Sequence, residues 1–338
     1  MVAGQQSFFE SVSIFRSAIM GLSMVSIMLF HQYFTSVIPF NIFHNFGHWG
    51  VDVFLFLSGM GLVNSLERNS IKNYYRRRFM RLVPSCIFCG SLKYLVSLLL
   101  GVIVVNYSKD MSLGLSAIAS LDLWFIPTII ILYLISPFLY YCLRKWIVLA
   151  ILGIVVLFFY NALILNPCMG YDWKSPFGVL SWTLERLPVF SYGMFIAIYK
   201  NLDKKKKLIS LLFLLIAICI KLLDKVGISF FASGECMYFS LAIGMPSLIH
   251  ILISILELAS KSLLTFISFF GIYSLEFYLV HEFIFWTLML SWRDGSPWIL
   301  LTLGFLLSSL FAYLCKLCTN YVTLLIDRVS QRTTQSIR

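Results

Sequence analysis

Apolar residues run through this chain in stretches of about twenty, separated by short polar segments. A bilayer core of about 30 Å requires about 20 apolar residues per helix, and each spanning segment must satisfy its own backbone hydrogen bonds. The pattern therefore predicts an all-α, polytopic transmembrane helical bundle of about ten spans. The predicted spans are residues 11–31, 50–66, 82–105, 123–143, 146–165, 177–199, 208–223, 236–256, 262–290 and 297–325.

Composition supports a membrane protein over a soluble one. The 338 residues are 60% hydrophobic and 12% charged, with a mean hydropathy of +0.89, whereas soluble domains carry about 25% charged residues. No polar or Pro/Gly/Ser-rich block is long enough to form a separate domain. We therefore predict one membrane domain over residues 1–330 and a short cytoplasmic tail over 331–338. Residues 1–10 lack a basic n-region and a cleavage site, so we expect no removable signal peptide.

The formal net charge of +11 could indicate a nucleic-acid partner, but the distribution of the basic residues argues against one. Most Lys and Arg fall in alternate loops, the pattern typical of cytoplasmic loops and of contact with anionic membrane lipids. Both termini are therefore predicted to be cytoplasmic. The basic loops contain residues 68–81, 144–145, 200–207, 261 and 328–338, whereas the opposite loops hold only Lys109, Lys174, Lys225 and Arg293.

Eight cysteines include two Cys-x2-Cys spacings, Cys86 with Cys89 and Cys315 with Cys318. Such spacings can be half-sites for zinc or redox pairs. Both lie in apolar helical runs without matching histidines, where cysteine is usually a small buried side chain. We therefore expect no metal site.

Ionisable residues within predicted spans are costly and mark functional sites by default. The candidates are Arg16, His31, Asp52, Glu185, Arg186, His250, Glu276, His281 and Glu282. Each could also have a structural role: His44 and His250 suit an interfacial or hydrogen-bonded position, and Glu276 or Glu282 could pair with Arg186 or Arg293.

Depth in the membrane distinguishes the candidates. His31 follows Arg16 by fifteen residues, roughly 22 Å along a helix, so Arg16 lies near the cytoplasmic end of its span and His31 near the outer end. The predicted topology also places Asp52, Glu185, Arg186 and His281 in the outer half. Histidine with a carboxylate can supply a general base and its orienting partner.

A basic run precedes the third span and contains Arg76, Arg77, Arg78 and Arg81. It could serve only as a topology signal. Guanidinium groups on more than one face of a juxtamembrane helix could also grip phosphates bidentately.

Five segments resemble the membrane acyltransferase 3 family, and they occur in the order that the family shows. They are GVDVFLFLSG at 50–59, YRRRFMRLVP at 75–84, LWFIP at 123–127, RLPVFSYG at 186–193 and GIYSLEFYLVH at 271–281. The resemblance extends over nearly the whole chain and implies a ten-span bacterial protein of the cytoplasmic membrane. It also implies an Arg and a His on the first span, matched by Arg16 and His31, although the gap between them is longer here.

The resemblance implies transfer of an acyl group, commonly acetyl from acetyl-CoA, to a hydroxyl of a surface glycan or lipid-linked sugar. We expect Arg76, Arg77, Arg78 and Arg81, assisted by Arg16, to bind a cytosolic acyl-CoA. On the outer side we expect His31 to act as general base, oriented by Asp52 or Glu185, with His281 or Arg186 stabilising the oxyanion. Two other functions are compatible with the sequence: a glycan exporter and a non-catalytic component of a glycan-assembly complex.

Overall fold

The computed structural model describes residues 7–32, 44, 47, 49–100, 124–169, 175–200, 204–228, 233–292 and 295–336. Every regular element among them is helical, as predicted. The helices are α1 (Phe8–Phe30), α2 (Trp49–Arg68), α3 (Ile71–Leu100), α4 (Phe125–Lys145), α5 (Ile147–Tyr160), α6 (Pro176–Tyr199), α7 (Lys204–Lys225), α8 (Ser233–Glu257), α9 (Lys261–Ile272), α10 (Ser274–Ser291) and α11 (Pro297–Ser336). A π-helical turn (Asn161–Leu165) and a short helix (Asn166–Met169) extend α5.

Local sequence explains where several helices begin and end. Ser7 and Glu10 form a reciprocal capping box, in which the Ser7 amide donates to the Glu10 carboxylate at 2.9 Å and the Glu10 amide donates to Ser7 Oγ at 3.3 Å. Helix α6 begins with Pro176 after Ser175, whose hydroxyl accepts from the Gly178 amide at 3.0 Å. Lys200 follows its last residue and adopts the left-handed conformation, with a φ of 48°.

Most of the predicted spans coincide with helices that could cross a membrane. Among the described residues, seven helices are long and apolar enough, and an eighth span is formed if α9 and α10 count together. The two remaining predicted spans, 177–199 and 208–223, are helical as α6 and α7, but α6 contains Glu185 and Arg186 and α7 begins with four lysines. The number of ten spans and the cytoplasmic termini stay predictions.

Two predicted spans differ in shape from the helices observed. Residues 262–290 form two helices that bend by 78° at Tyr273, rather than one straight span. Helix α3 begins at Ile71, ahead of the predicted span 82–105, so the arginine run is part of the same helix. Residues 101–105 lie outside the described part of the chain, as do the loop residues Lys109, Lys174 and Arg293 and the end of the predicted tail, residues 337–338.

Residue contacts divide the chain into two compact units, each built from separate segments. The first unit comprises Met1–Ser23, Trp49–Tyr75 and Trp124–Ser268, and the second comprises Met24–His48, Arg76–Leu123 and Phe269–Arg338. The prediction of one domain over 1–330 stays a prediction.

In the first unit, α2 packs along α6, which α4, α5 and α8 also contact. Two glycines allow this close approach. A Cβ at Gly59 would collide with the backbone oxygen of Phe190, and a Cβ at Gly193 would collide with that of Phe56. These glycines lie in the FLSG and SYG segments of the sequence, so the two motifs are in contact where α2 packs on α6. The contact sets the position of Asp52 on α2 relative to Arg186 on α6.

In the second unit, α10 packs against α11. Gly304 on α11 lies against the ring of Phe285 on α10, and Phe285 is fully buried. An ion pair joins the same helices, because Lys316 Nζ contacts Glu276 Oε1 at 3.1 Å. These contacts hold the helix that contains His281.

Candidate functional site

Two histidines form a hydrogen-bonded pair in the second unit. His31 follows the last residue of α1, and its Nδ1 lies 3.0 Å from Nε2 of His281 on α10. Their ring centroids are 4.9 Å apart. His281 is only 1% exposed, whereas His31 keeps some accessible surface. The pair brings together two residues that are 250 positions apart in the chain.

Backbone carbonyls determine which ring nitrogens hold the protons. His281 Nδ1 lies 2.9 Å from the Phe277 carbonyl and 3.0 Å from that of Tyr278. Since a carbonyl oxygen accepts but does not donate, this nitrogen bears the proton, and in the neutral ring Nε2 is an acceptor. His31 Nδ1 must then donate to it, sharing its proton with the Ile27 carbonyl at 3.0 Å. The assignment leaves His31 Nε2 with a basic lone pair.

The surroundings of His31 restrain its ring and can stabilise its protonated form. The ring of Phe30 packs edge-on against His31 at 4.9 Å, and His44 stacks on Phe30 and donates from Nδ1 to the Phe30 carbonyl at 2.7 Å. His44 therefore has the hydrogen-bonded, structural role expected for it. Burial disfavours a positive charge on the His31 imidazole, and the electrostatic interaction with the Glu282 carboxylate offsets part of that effect.

Asp52 and Arg186 form a buried ion pair in the first unit. Arg186 Nε lies 3.5 Å from Asp52 Oδ1, and both side chains are 3% exposed. The residue hydrogen-bonded to His31 is His281, and the ion-pair partner of Asp52 is Arg186. Orientation of His31 by Asp52 or Glu185 stays a prediction. Glu185, the neighbour of Arg186, is partly exposed.

Three aromatic rings surround the Arg186 guanidinium. Its Cζ lies 3.6 Å from the ring centroid of Tyr238, 5.6 Å from Trp182 and 5.7 Å from Trp124, within the range of cation–π attraction. The two indoles contact each other at 4.8 Å. Trp124 belongs to the LWFIP motif, but no local pattern indicates a role for these rings, because only the packing of α4, α6 and α8 brings them to one place.

The arginine run lies on the first turns of α3. Arg76, Arg77 and Arg81 are exposed and Arg78 is half-buried. The preceding tyrosines tie this end of the helix to α4, since the hydroxyls of Tyr74 and Tyr75 donate to the carbonyls of Tyr133 and Leu134 at 3.1 and 2.9 Å.

Arg16 contacts helix α2. One of its Nη atoms donates to the Leu57 carbonyl at 3.0 Å, and its guanidinium lies against Gly61. These contacts give Arg16 a structural role in the packing of the first unit, whether or not it also binds a ligand.

Glu276 has hydrogen-bond partners on two other helices. The sequence predicts Arg186 or Arg293 as a partner, and Arg293 lies outside the described residues. The completely buried Glu276 accepts from Lys316 at 3.1 Å and from Ser85 Oγ at 2.9 Å. Lys316 lies far along the chain on α11, and nothing in local spacing indicates the pair. His250, the remaining candidate, is exposed on α8.

A family model described as "Acyltransferase domain" (Acyl_transf_3) matches residues 18–317. The chain belongs to the acyltransferase 3 family. The match includes both histidines, the arginine run and the Asp52–Arg186 pair, and it begins two residues after Arg16. The search of curated proteins found no match, and neither did the search of solved structures. This family and the apolar helices make the protein a multi-pass membrane acyltransferase.

Proposed function

We propose that this protein transfers an acyl group, acetyl in the simplest case, from cytosolic acyl-CoA to a hydroxyl of a surface glycan or lipid-linked sugar. The observation that supports this most directly is the His31–His281 pair, because it supplies a neutral imidazole with one free lone pair. Proton abstraction from a hydroxyl by such a base typically accelerates acyl transfer by about 10²–10⁴-fold.

In the proposed reaction, His31 Nε2 accepts the proton of the acceptor hydroxyl while its oxygen attacks the thioester carbonyl. The C–O bond forms as the carbonyl becomes an oxyanion. Collapse of this intermediate breaks the C–S bond, and the departing thiolate takes the proton from His31, so that the products are the ester and free CoA. Protonated His31 is stabilised by Nε2 of His281, by the Ile27 carbonyl and by the charge of Glu282.

The pair suggests a positioning role for His281, different from the oxyanion donor expected from the sequence. Its Nδ1 proton is already directed at two carbonyls, and its Nε2 accepts from His31. His281 thereby holds the His31 ring in one orientation and one tautomer. The catalytic residue in this proposal is His31.

The donor site in this proposal is the arginine run. Arg76, Arg77 and Arg81 are exposed near the start of α3, where the predicted topology puts the cytosol. Exposed guanidinium groups can bind the phosphates of CoA bidentately. Arg16 and the half-buried Arg78 complete the proposed set, with Arg16 in a lesser part because it already bonds the Leu57 carbonyl. In this proposal the protein lies in the bacterial cytoplasmic membrane, with both termini in the cytosol.

The test uses the purified full chain in detergent with acetyl-CoA and a mixture of glycan acceptors, following release of the free thiol. His31→Ala should lower the rate at least about 100-fold while binding of acetyl-CoA stays at the wild-type level. His250→Ala, which removes an exposed histidine on α8, should react like the wild type. A folded His31→Ala protein with the wild-type rate would overturn the assignment of the base, and a wild-type protein that releases no thiol would overturn the function.

A further inference from the structure

We infer that the first unit contains a binding site for a neutral sugar ring, formed by Asp52, Arg186, Trp124, Trp182 and Tyr238 with Glu185 and Glu235 beside them. This inference rests on the proposed function, because it assigns the part of the protein that recognises the acceptor.

Unmet hydrogen-bonding capacity in the Asp52–Arg186 pair is the first argument. Among the residues that the structure describes, Asp52 Oδ2 and Arg186 Nη1 have no hydrogen-bond partner, although the two residues are 2% and 3% exposed. A buried polar atom without a partner costs about 1–3 kcal/mol, more when it is charged. Such a pair is stabilised by a ligand that supplies both a donor and an acceptor.

The chemistry of the two atoms selects the ligand. Asp52 Oδ2 accepts a hydrogen bond and Arg186 Nη1 donates one, so they suit a hydroxyl, which does both. A simple anion would satisfy Arg186 but would add a negative charge next to Asp52. Adjacent hydroxyls on a sugar ring meet both requirements.

The aromatic rings provide the second argument. Trp124 and Trp182 lie 4.8 Å apart at an angle of 33°, and both are half-buried. Binding sites for small molecules combine such aromatic surfaces with a few convergent polar groups. The apolar C–H face of a sugar can pack on an indole while its hydroxyls reach the ion pair.

The position of the cluster, near the ends of three helices, favours contact with water over contact with lipid. Asp52 lies in the first turn of α2, Trp124 directly precedes α4, and Glu235 and Tyr238 lie near the start of α8. Glu235 is partly exposed and accepts from Asn166 at 2.6 Å. Accessible carboxylates are not tolerated against hydrocarbon. In the predicted topology these helix ends face outward, where a surface glycan is found.

The charges of the cluster predict which sugars bind. Among the described residues of the cluster, Asp52, Glu185 and Glu235 supply three carboxyl groups and Arg186 supplies one guanidinium. A uronic or sialic acid would bring a further negative charge into this group, whereas a neutral hexose or N-acetylhexosamine would not. The site therefore favours neutral rings.

The experiment measures binding without any acyl donor, so that it is independent of the reaction. The full chain in nanodiscs is titrated with methyl glucoside, methyl galactoside, methyl N-acetylglucosaminide and methyl glucuronide, and saturation-transfer NMR reports each affinity. At least one neutral glycoside should bind, and more tightly than the glucuronide. Trp182→Ala should weaken that binding about tenfold, and Trp182→Phe should restore most of it. Trp292→Ala, which removes an exposed indole elsewhere, should bind like the wild type.

A second arm does not depend on the folding of Trp182→Ala. Glu185→Gln and Glu235→Gln each remove one negative charge and should narrow the preference for the neutral glycoside over the glucuronide several-fold. Binding of none of the four glycosides, a tighter complex with the glucuronide, or an unchanged preference in both glutamine variants would overturn the site.

The proposed acyl transfer and the proposed sugar site can be contradicted independently of each other. His31→Ala should bind the glycoside as the wild type does, even though its acyl transfer is lost. Glycoside binding without any release of thiol from acetyl-CoA would overturn the proposed reaction and support the site. Thiol release without glycoside binding would support the reaction and overturn the site.

Discussion

The histidine pair of the second unit and the ion pair of the first unit satisfy their hydrogen bonds in different ways. In the His31–His281 pair, carbonyls and rings account for three of the four ring nitrogens, and the remaining one is a base. In the Asp52–Arg186 pair, an acceptor and a donor remain unmatched although both side chains are buried. This difference is the basis of the two proposals, in which the histidines transfer a proton and the ion pair binds a ligand.

The comparison predicts the largest effect on stability at Asp52. Asp52→Ala leaves the guanidinium of Arg186 buried without its partner, and breaking such a pair costs about 3–5 kcal/mol of unfolding free energy. The double variant Asp52→Ala/Arg186→Met should recover most of that loss, because no charge remains unpaired. Denaturation of the purified protein by SDS measures both values.

Two controls make this prediction specific. Glu257→Ala removes an exposed carboxylate and should leave stability unchanged, and His31→Ala should change stability much less than Asp52→Ala. If Asp52→Ala is as stable as Glu257→Ala, the ion pair is not a buried, charged element and the contrast between the two pairs disappears.

The next effect is on catalysis and concerns His281. His281→Ala removes the acceptor that orients His31, and we expect kcat to fall about 100-fold with little change in KM for acyl-CoA. His281→Gln retains an acceptor oxygen, and its kcat should be about tenfold higher than that of His281→Ala. In a protein that already lacks His31, removing His281 should cause no further loss, because residues that act as a unit are not additive. Equal kcat values for the Ala and Gln variants would show that His281 has only a packing role.

Packing around the two pairs provides a smaller and graded effect. Gly59→Ala places a methyl group against the Phe190 backbone oxygen and should destabilise by about 1–3 kcal/mol. In Gly304→Ala the added methyl group meets the ring of Phe285 instead. Because a side chain can shift, this variant should lose less unfolding free energy. Gly234→Ala meets nothing within 4 Å and should be neutral or stabilising in its helix. Thermal unfolding ranks the three, and a Gly59→Ala midpoint equal to that of Gly234→Ala would contradict the close packing of α2 on α6.

The smallest expected effect is at the arginine run. Arg77→Gln and Arg81→Gln should each weaken acetyl-CoA binding several-fold, since each removes one exposed phosphate contact that salt can screen. Lys205→Gln, at an exposed lysine on α7, is the matched control. Calorimetric titration at low and high salt tests this, and affinities equal to the control at both would remove the run from the donor site.

Much of the candidate site was accessible from sequence because its residues interrupt apolar segments. His31, Asp52, Arg186 and His281 were identified from the cost of placing ionisable groups in a membrane and from the motifs of the family. The pairing of these residues with one another could not be predicted from the sequence. The pairing of His31 with His281, of Asp52 with Arg186 and of Glu276 with Lys316 joins residues that lie 40 to 250 positions apart.

The sequence by itself determined the helical class, the family and the residues that need an explanation, because hydrophobic runs and local motifs are properties of short segments. Tertiary structure alone decided which side chains form hydrogen bonds and ion pairs with each other and where the predicted ninth span bends. It also decided that Trp124, Trp182 and Tyr238 surround one guanidinium. Those features depend on which helices pack together, and that packing depends on contacts such as Gly59 against Phe190, whose partners lie far apart in the chain.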